Sequence, residues 1–346
     1  VLRGHAEKTG TRSDGPVMPS QNNEIATSVS DRAVCPLCTA PTDRTLAGNI
    51  SRPDNRICPA CGLVFQPRRD SSIEDLASCY AGDGYWNAET VKLSRFTRIS
   101  VLDDVRRGRA RLRGIEQISG RRISAHDTVL DIGCGYGGLL WQIRNKRKAR
   151  VNGLEPSPVC TQAARSLLGL DVRQGMFEET ECSQDGGYSL ITSLHTLEHV
   201  ADPVAFLRRS GELLAPDGLL YIEVPNLLNP SAGFPLTRFF EEAHLSNFSA
   251  LTLRAAADLA GLKTVAQDTR GFLRFVLKRA GQALTPVYDA AHAEEVLLFL
   301  TSYHHGEQRT TRKLRTFTTR AGYAFRLACY PLLHPIQTMR ILCRRT

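Results

Sequence analysis

From residue 129 onward the chain alternates short apolar runs with stretches whose apolar residues recur at helical spacing. Segments at 129–132, 151–155, 171–175, 188–193 and 219–224 are four to six residues long and read as strands. Helical spacing at 139–148, 160–168 and 249–260 places helices between or after them. Strand and helix in alternation predict an α/β fold with a doubly wound sheet over residues 123–280. Residues 1–31 show no apolar period and predict a disordered tail, in which Met18 is a candidate natural start. Residues 91–119 and 290–303 predict two further helices outside the sheet.

The first strand runs straight into Gly133, Cys134, Gly135, Tyr136, Gly137 and Gly138. Glycines there supply positive φ and let a ligand approach bare backbone, while the first N–H groups of the next helix stay available to it. Gly133, Gly135 and Gly138 satisfy the spacing G-x-G-x-x-G of dinucleotide sites, so a nicotinamide enzyme fits. Asp131, two residues before the first glycine, argues the other way, because a carboxylate repels pyrophosphate and attracts an ammonium. Glu155 ends the second strand twenty residues beyond Gly135, where a βαβ unit returns to the same sheet edge, and with Pro156 beside it is placed to accept ribose hydroxyls.

Two cysteine pairs precede this domain. Cys35-x-x-Cys38 and Cys58-x-x-Cys61, nineteen residues apart, predict a structural zinc site over residues 32–70, closed by four thiolates. The chain holds ten cysteines in all, and no apolar run reaches bilayer length, so metal or free thiols are expected ahead of disulfides and the location is expected to be cytoplasmic. Lys and Arg exceed Asp and Glu by 44 − 35, a net charge of +9 that allows anionic partners without requiring them. Residues 71–122 predict a basic helical linker or lid, with Tyr80, Tyr85 and Trp86 as a packing cluster or a cleft wall. Basic residues from Arg309 to Arg345 make 281–346 a helical extension, packed on the main domain or touching an anionic membrane surface.

The glycine corner with Asp131 resembles motif I of class I S-adenosylmethionine-dependent methyltransferases. The segment His195-Thr-Leu-Glu198-His199-Val-Ala-Asp202-Pro203 resembles the "EHV-DP" stretch of the branch that includes ubiquinone- and sugar-methylating enzymes, and Leu213 to Leu220 resembles its turn into strand five. The resemblance covers about residues 127–279. It implies a Rossmann-like seven-stranded sheet whose last two strands, 262–267 and 272–278, pair antiparallel at the edge. It also implies S-adenosylmethionine as cofactor, held by Asp131, Gly133, Gly135, Gly137, Glu155, Pro156, Met176, Phe177 and Leu194, with Gly138 letting the helix approach the sheet. Many relatives have an acidic residue against the adenine amino group, where this chain has Met176 and Phe177, so an apolar contact is expected.

An insertion at 227–249 is placed to shape the acceptor site. Its His244-Leu-Ser-Asn-Phe-Ser resembles the branch's "H-x-x-x-F-S" segment; sugar-carbon methylating relatives read Tyr-x-Glu-His where this chain reads Glu241-Glu242-Ala243-His244, so only the histidine matches. Methyl transfer requires the acceptor to be positioned and relieved of its proton, which suits imidazole. His199 is the first candidate base, His244 the second and His195 the third, each with scaffolding as the alternative. A small-molecule acceptor is expected, sugar- or lipid-linked, with O- or C-methylation. RNA methylation, with the zinc ribbon as a recognition module for nucleic acid, is the alternative, followed by a nicotinamide enzyme and a silent binding module. Oligomeric state stays open.

Overall fold

A computed structural model describes residues 33–46, 55–67, 95–230, 239–240 and 243–310. Expectations for residues 1–31, for Tyr80, Tyr85 and Trp86, for Glu241 and Glu242, and for the basic residues from Arg312 to Arg345 lie outside the described residues.

Four two-residue strands open the described chain: β1 (Ala33–Val34), β2 (Pro41–Thr42), β3 (Arg56–Ile57) and β4 (Val64–Phe65). The long helix α1 (Arg95–Ser119) follows, then β5 (Thr128–Ile132), α2 (Gly138–Arg147), β6 (Arg150–Glu155), α3 (Pro158–Leu168), β7 (Val172–Gln174) and β8 (Tyr188–Leu194). After these come a 3-10 turn (Leu197–His199), α4 (Pro203–Glu212), β9 (Leu214–Val224), β10 (Ser246–Asn247), α5 (Ala250–Leu259), β11 (Leu262–Asp268), β12 (Leu273–Arg279) and α6 (Ala290–Thr310). The large sheet has the order β11-β12-β9-β8-β5-β6-β7, parallel except for β12, which is antiparallel to both neighbours. This is the Rossmann-like seven-stranded arrangement expected, antiparallel edge pair included.

Burial explains why the short runs became these strands. Central β5 is buried at every position, as a parallel strand covered on both faces must be. Edge strand β11 alternates buried and solvent-facing residues because only one of its faces meets the core. Local chemistry sets the helix ends. Ser157 caps α3 by accepting from Cys160 N–H, Asp202 caps α4 by accepting from Ala205 N–H, and Pro follows each cap. Asp202-Pro203 is therefore a helix start, and the helix it opens, α4, has no counterpart among the sequence expectations.

Helix α1 crosses α2 at glycine. A Cβ on Gly138 would lie 2.3 Å from the Asp104 backbone, and one on Gly108 2.4 Å from Gly138 O. Gly138 thus admits α1, whereas the sequence suggested the sheet. Gly138→Ala is expected to destabilise the fold by about 3 kcal/mol, since backbone must move to relieve the contact. Gly114→Ala, in the same helix with open space around its Cβ, should instead stabilise by about 0.5–1 kcal/mol. Urea midpoints at constant slope read both.

Candidate functional site

In this topology β5 and β8 are neighbours from which the chain departs in opposite directions, and ligands of open α/β sheets lie at the carboxyl ends of such a pair. The glycine corner leaves β5 there, and the His195 segment leaves β8. Gly133, Gly135 and Gly137 all adopt positive φ, at 73°, 55° and 78°. Their surroundings differ. A Cβ on Gly133 would strike Thr196 and one on Gly137 would strike Leu170, but at Gly135 nothing lies within 4 Å. Gly135 is the position where a ligand can meet backbone.

Two buried carboxylates flank that opening. Glu155 accepts from Gly135 N–H at 2.8 Å and from Ser157 N–H at 2.9 Å, so it ties the loop to the end of β6; burial pushes its carboxyl up. Asp131 accepts from the Thr192 hydroxyl across the β5–β8 junction at 2.7 Å. Burial raises its pKa to about 7, against the opposing effect of that hydrogen bond and of Arg111. The N-terminus of α2, where a dinucleotide would put its pyrophosphate, is already occupied: Gly138 N–H donates to the Asp104 carboxylate at 2.8 Å. A carboxylate of the chain itself at that position weighs against the nicotinamide reading.

The expected adenine contacts separate. Met176 is half-buried beside the end of β7. Phe177 turns away into the core, edge-to-face with Phe206 at 4.9 Å and beneath the Arg209 guanidinium at 4.8 Å. Its ring is committed to packing, which corrects its assignment as a cofactor wall. Leu194 is buried at the end of β8, and Pro156 is half-buried ahead of the α3 cap.

The three histidines fall into two environments. His195, at φ 56°, lies between two carboxylates, with Nδ1 3.5 Å from Glu198 and Nε2 3.3 Å from Glu223. Burial lowers its pKa, but the two carboxylates outweigh burial and hold it at about 9. With a carboxylate beside each ring nitrogen, the imidazolium form of His195 is the favoured one. Arg274, 2.7 Å from Glu223, completes the network; burial raises the Glu223 carboxyl, and His195 and Arg274 bring it down to about 2.

His199 and His244 lie together, ring centroids 4.9 Å apart. His199 Nδ1 is 2.8 Å from Ala243 O, and His244 Nδ1 is 2.7 Å from Phe239 O. A carbonyl only accepts, so each Nδ1 carries the proton and each Nε2 is the basic nitrogen in the neutral ring. Glu198, 2% exposed, sits 4.0 Å from His199 Nε2, and its Oε2 is buried without a hydrogen-bond partner. One ligand atom from each of Glu198, His199 and His244 falls within 4.8 Å of the others. Such an acceptor-rich group can take up a proton or hold a divalent cation. The sequence ranked these histidines singly; that they form a pair beside a buried carboxylate appears only in the fold.

The cysteine pairs fold as two matching knuckles. Thr39 N–H donates to Cys35 O and Gly62 N–H to Cys58 O, and both Thr39 and Gly62 take the left-handed conformation. The four sulfurs converge, with Cys35–Cys61 at 3.6 Å and Cys38–Cys58 at 3.3 Å. Disulfide sulfurs would be about 2.05 Å apart, whereas tetrahedral thiolates about 2.3 Å from zinc stand about 3.8 Å apart. Hydrogen bonding from Cys35, Cys38 and Cys61 holds the Cys58 thiol well below its ordinary value. The donor set fits a tetrahedral zinc site.

The ribbon and α6 are fused to the large domain. Strand β4 pairs antiparallel with β3 and with β10 of the insertion. Helix α6 and the residues just before it reach both, through Arg44–Glu294, Tyr288 to Leu37 O, and His292 Nε2 to Ser249 Oγ at 2.8 Å. On α1, Arg106 and Arg107 pair with Asp103 and Arg111 pairs with Asp104, which uses three of its arginines within the chain. No helix among the described residues is long and apolar enough to cross a membrane.

Comparison with known proteins agrees with this geometry. A family profile described as "Methyltransferase domain" matches residues 104–267. A ubiquinone biosynthesis O-methyltransferase of Xanthomonas axonopodis pv. citri (strain 306) is 34% identical over 117 residues, 32% of this chain and 48% of that protein. Its counterpart in Xanthomonas campestris pv. campestris (strain B100) is 35% identical over 103 residues, 28% and 43% of the two chains. The chain thus spans about half the length of the curated relatives it matches. Among solved structures, a Haloferax volcanii complex of the Trm112 methyltransferase activator with a methyltransferase aligns at 22% identity and TM-score 0.40, covering 51% of this chain and 96% of that one. Residues 104–267 thus match the methyltransferase-domain family, and within them the chain is similar to S-adenosylmethionine-dependent O-methyltransferases.

Proposed function

We propose that this chain transfers the methyl group of S-adenosylmethionine to a hydroxyl of a small-molecule acceptor, with a sugar-carbon acceptor as the variant of the same chemistry. The observation that carries the reading is the juxtaposition, at one sheet crevice, of a backbone opening at Gly135 between Asp131 and Glu155 with the His199–His244 pair. Asp131 suits the ammonium of the cofactor and Glu155 its ribose hydroxyls; the cofactor supplies an electrophilic methyl on a sulfonium. The histidines take the acceptor's proton, His199 first because the buried Glu198 carboxylate lies 4.0 Å from its Nε2. The relatives are named ubiquinone biosynthesis O-methyltransferases, which supports an oxygen acceptor; a sugar- or lipid-linked molecule is our extension of that. Incubation with methyl-labelled S-adenosylmethionine and fractionated cell extract is the test. Label in a small-molecule or lipid fraction supports the proposal; label that ribonuclease releases supports the RNA alternative and sinks it.

Asp131 gives the proposal a pH signature. Its folded pKa of about 7 exceeds the ordinary carboxylate value, so raising the pH from about 4 through 7 ionises a buried group and removes stability from the free protein. Bound ammonium favours the ionised form. Affinity for S-adenosylmethionine should therefore tighten by about tenfold per pH unit up to about pH 7 and then level off. Titration calorimetry from pH 5.5 to 8 measures it; Asp131→Asn should bind weakly with a flat profile.

A second reading is favoured by the partnerless Oε2 of Glu198: the same three groups hold a divalent cation that orients the acceptor oxygen. It requires turnover to vanish in enzyme freed of exchangeable metal but retaining ribbon zinc, and to return with magnesium or manganese.

A further inference from the structure

The segment that carries His244 is held from the ribbon. Its three successive carbonyls each accept one bond: Ala243 O from His199 Nδ1 at 2.8 Å, His244 O from the Gln66 side-chain amide at 3.0 Å, and Leu245 O from Gln66 N–H at 2.9 Å. Gln66 is five residues beyond the last thiolate, Cys61, and directly follows β4, whose Phe65 and Val64 pair with Ser246 and Asn247. One ribbon residue therefore grips the two peptide units next to the one His199 grips. These three bonds fix the segment between the ribbon on one side and the His199 ring on the other. The ring of His244 is then set by its own backbone and by Phe239 O at 2.7 Å.

We propose that Gln66 is a positioning residue for the His199–His244 pair, and that the four-cysteine ribbon serves the reaction by holding that pair in register. Turning the His244 peptide would move Ala243 O, so the orientation of His199 depends on the same clamp. The physical reason is geometric. Proton removal requires the basic nitrogen at hydrogen-bonding distance from the acceptor, and displacements of about 1 Å there cost about a hundredfold in rate. The side-chain amide of Gln66 makes the bond to His244 O, whereas β4–β10 pairing and Gln66 N–H do not depend on that side chain. The clamp can thus be loosened without dismantling the ribbon. The inference rests on the histidine reading of the proposed function.

Gln66→Met is the informative variant, because it keeps chain length and the backbone N–H and loses the side-chain amide that grips His244 O. The experiment follows kcat, the S-adenosylmethionine dissociation constant, zinc content and the imidazole resonances of His199 and His244 in the full chain. We expect kcat to fall by about tenfold or more, cofactor affinity to stay within about twofold, zinc to stay at one per chain, and both imidazole resonances to shift or broaden. Unmoved resonances overturn the proposal whatever happens to kcat, as does an unchanged kcat. A loss shared equally by cofactor affinity overturns it too, since the effect would then be general. Failure of the histidine reading shows separately: asparagine in place of both histidines would leave turnover intact, while Gln66→Met would still report on the clamp through the resonances of the wild-type rings.

Discussion

The double variant His199→Asn, His244→Asn is expected to lower kcat by about 10³-fold while S-adenosylmethionine binding stays within about threefold. Asparagine is chosen because its amide can stand where Nδ1 stands, so the bonds to Ala243 O and Phe239 O can persist while the basic Nε2 is lost. Scaffolding is thereby kept and proton acceptance removed. The single variants divide the roles, and whichever reproduces the double loss identifies the base. Glu198 makes His199 the expected one, because its buried carboxylate stands 4.0 Å from His199 Nε2. Burial pushes the Glu198 carboxyl up, yet His195, His199 and His244 together keep it below the usual range, so it is ionised when needed. Turnover retained within tenfold in the double variant would exclude histidine as the base and leave the cation reading or substrate-assisted chemistry.

Cys58→Ser is expected to abolish stoichiometric zinc binding and to lower methyl transfer by at least about 10²-fold, with the cofactor still bound. A ribbon of this size buries too little to fold on hydrophobic contacts alone, and structural zinc in small domains supplies about 10 kcal/mol or more of folding free energy. Its loss frees β4, and with it the pairing to β10 and both Gln66 bonds to the His244 segment. The cofactor corner depends on different contacts, Glu155 to Gly135 and Asp104 to Gly138, and these lie in the large domain. Zinc analysis, calorimetry with S-adenosylmethionine and turnover on one preparation distinguish the two halves. Loss of cofactor binding along with zinc would show that ribbon and sheet fold as one unit.

Much of the architecture was legible in the chain. The strand–glycine–helix corner, the carboxylates at 131 and 155 and the two Cys-x-x-Cys knuckles are local signals, fixed by backbone requirements and by spacing within a few residues. Phe177 shows the limit: an apolar residue after β7 fits an adenine wall or the core equally well until Phe206 and Arg209 close on it. Gly138 was read as contact with the sheet, because nothing near it in sequence announces a helix arriving from residues 104–108.

By itself, the sequence determined the fold class, the glycine corner and the paired cysteine knuckles, since each depends on contacts between near neighbours or on a strict hydrophobic period. Tertiary structure alone decided which histidines lie together and which lies between carboxylates. His195 is charged because Glu223 arrives from a strand twenty-eight residues away, and His199 and His244 become a pair only when the insertion folds back over β8. Likewise the pairing of β4 with β10 joins residues about 180 positions apart. Proton affinity and orientation at this site are set by long-range neighbours, and no short stretch of chain encodes them.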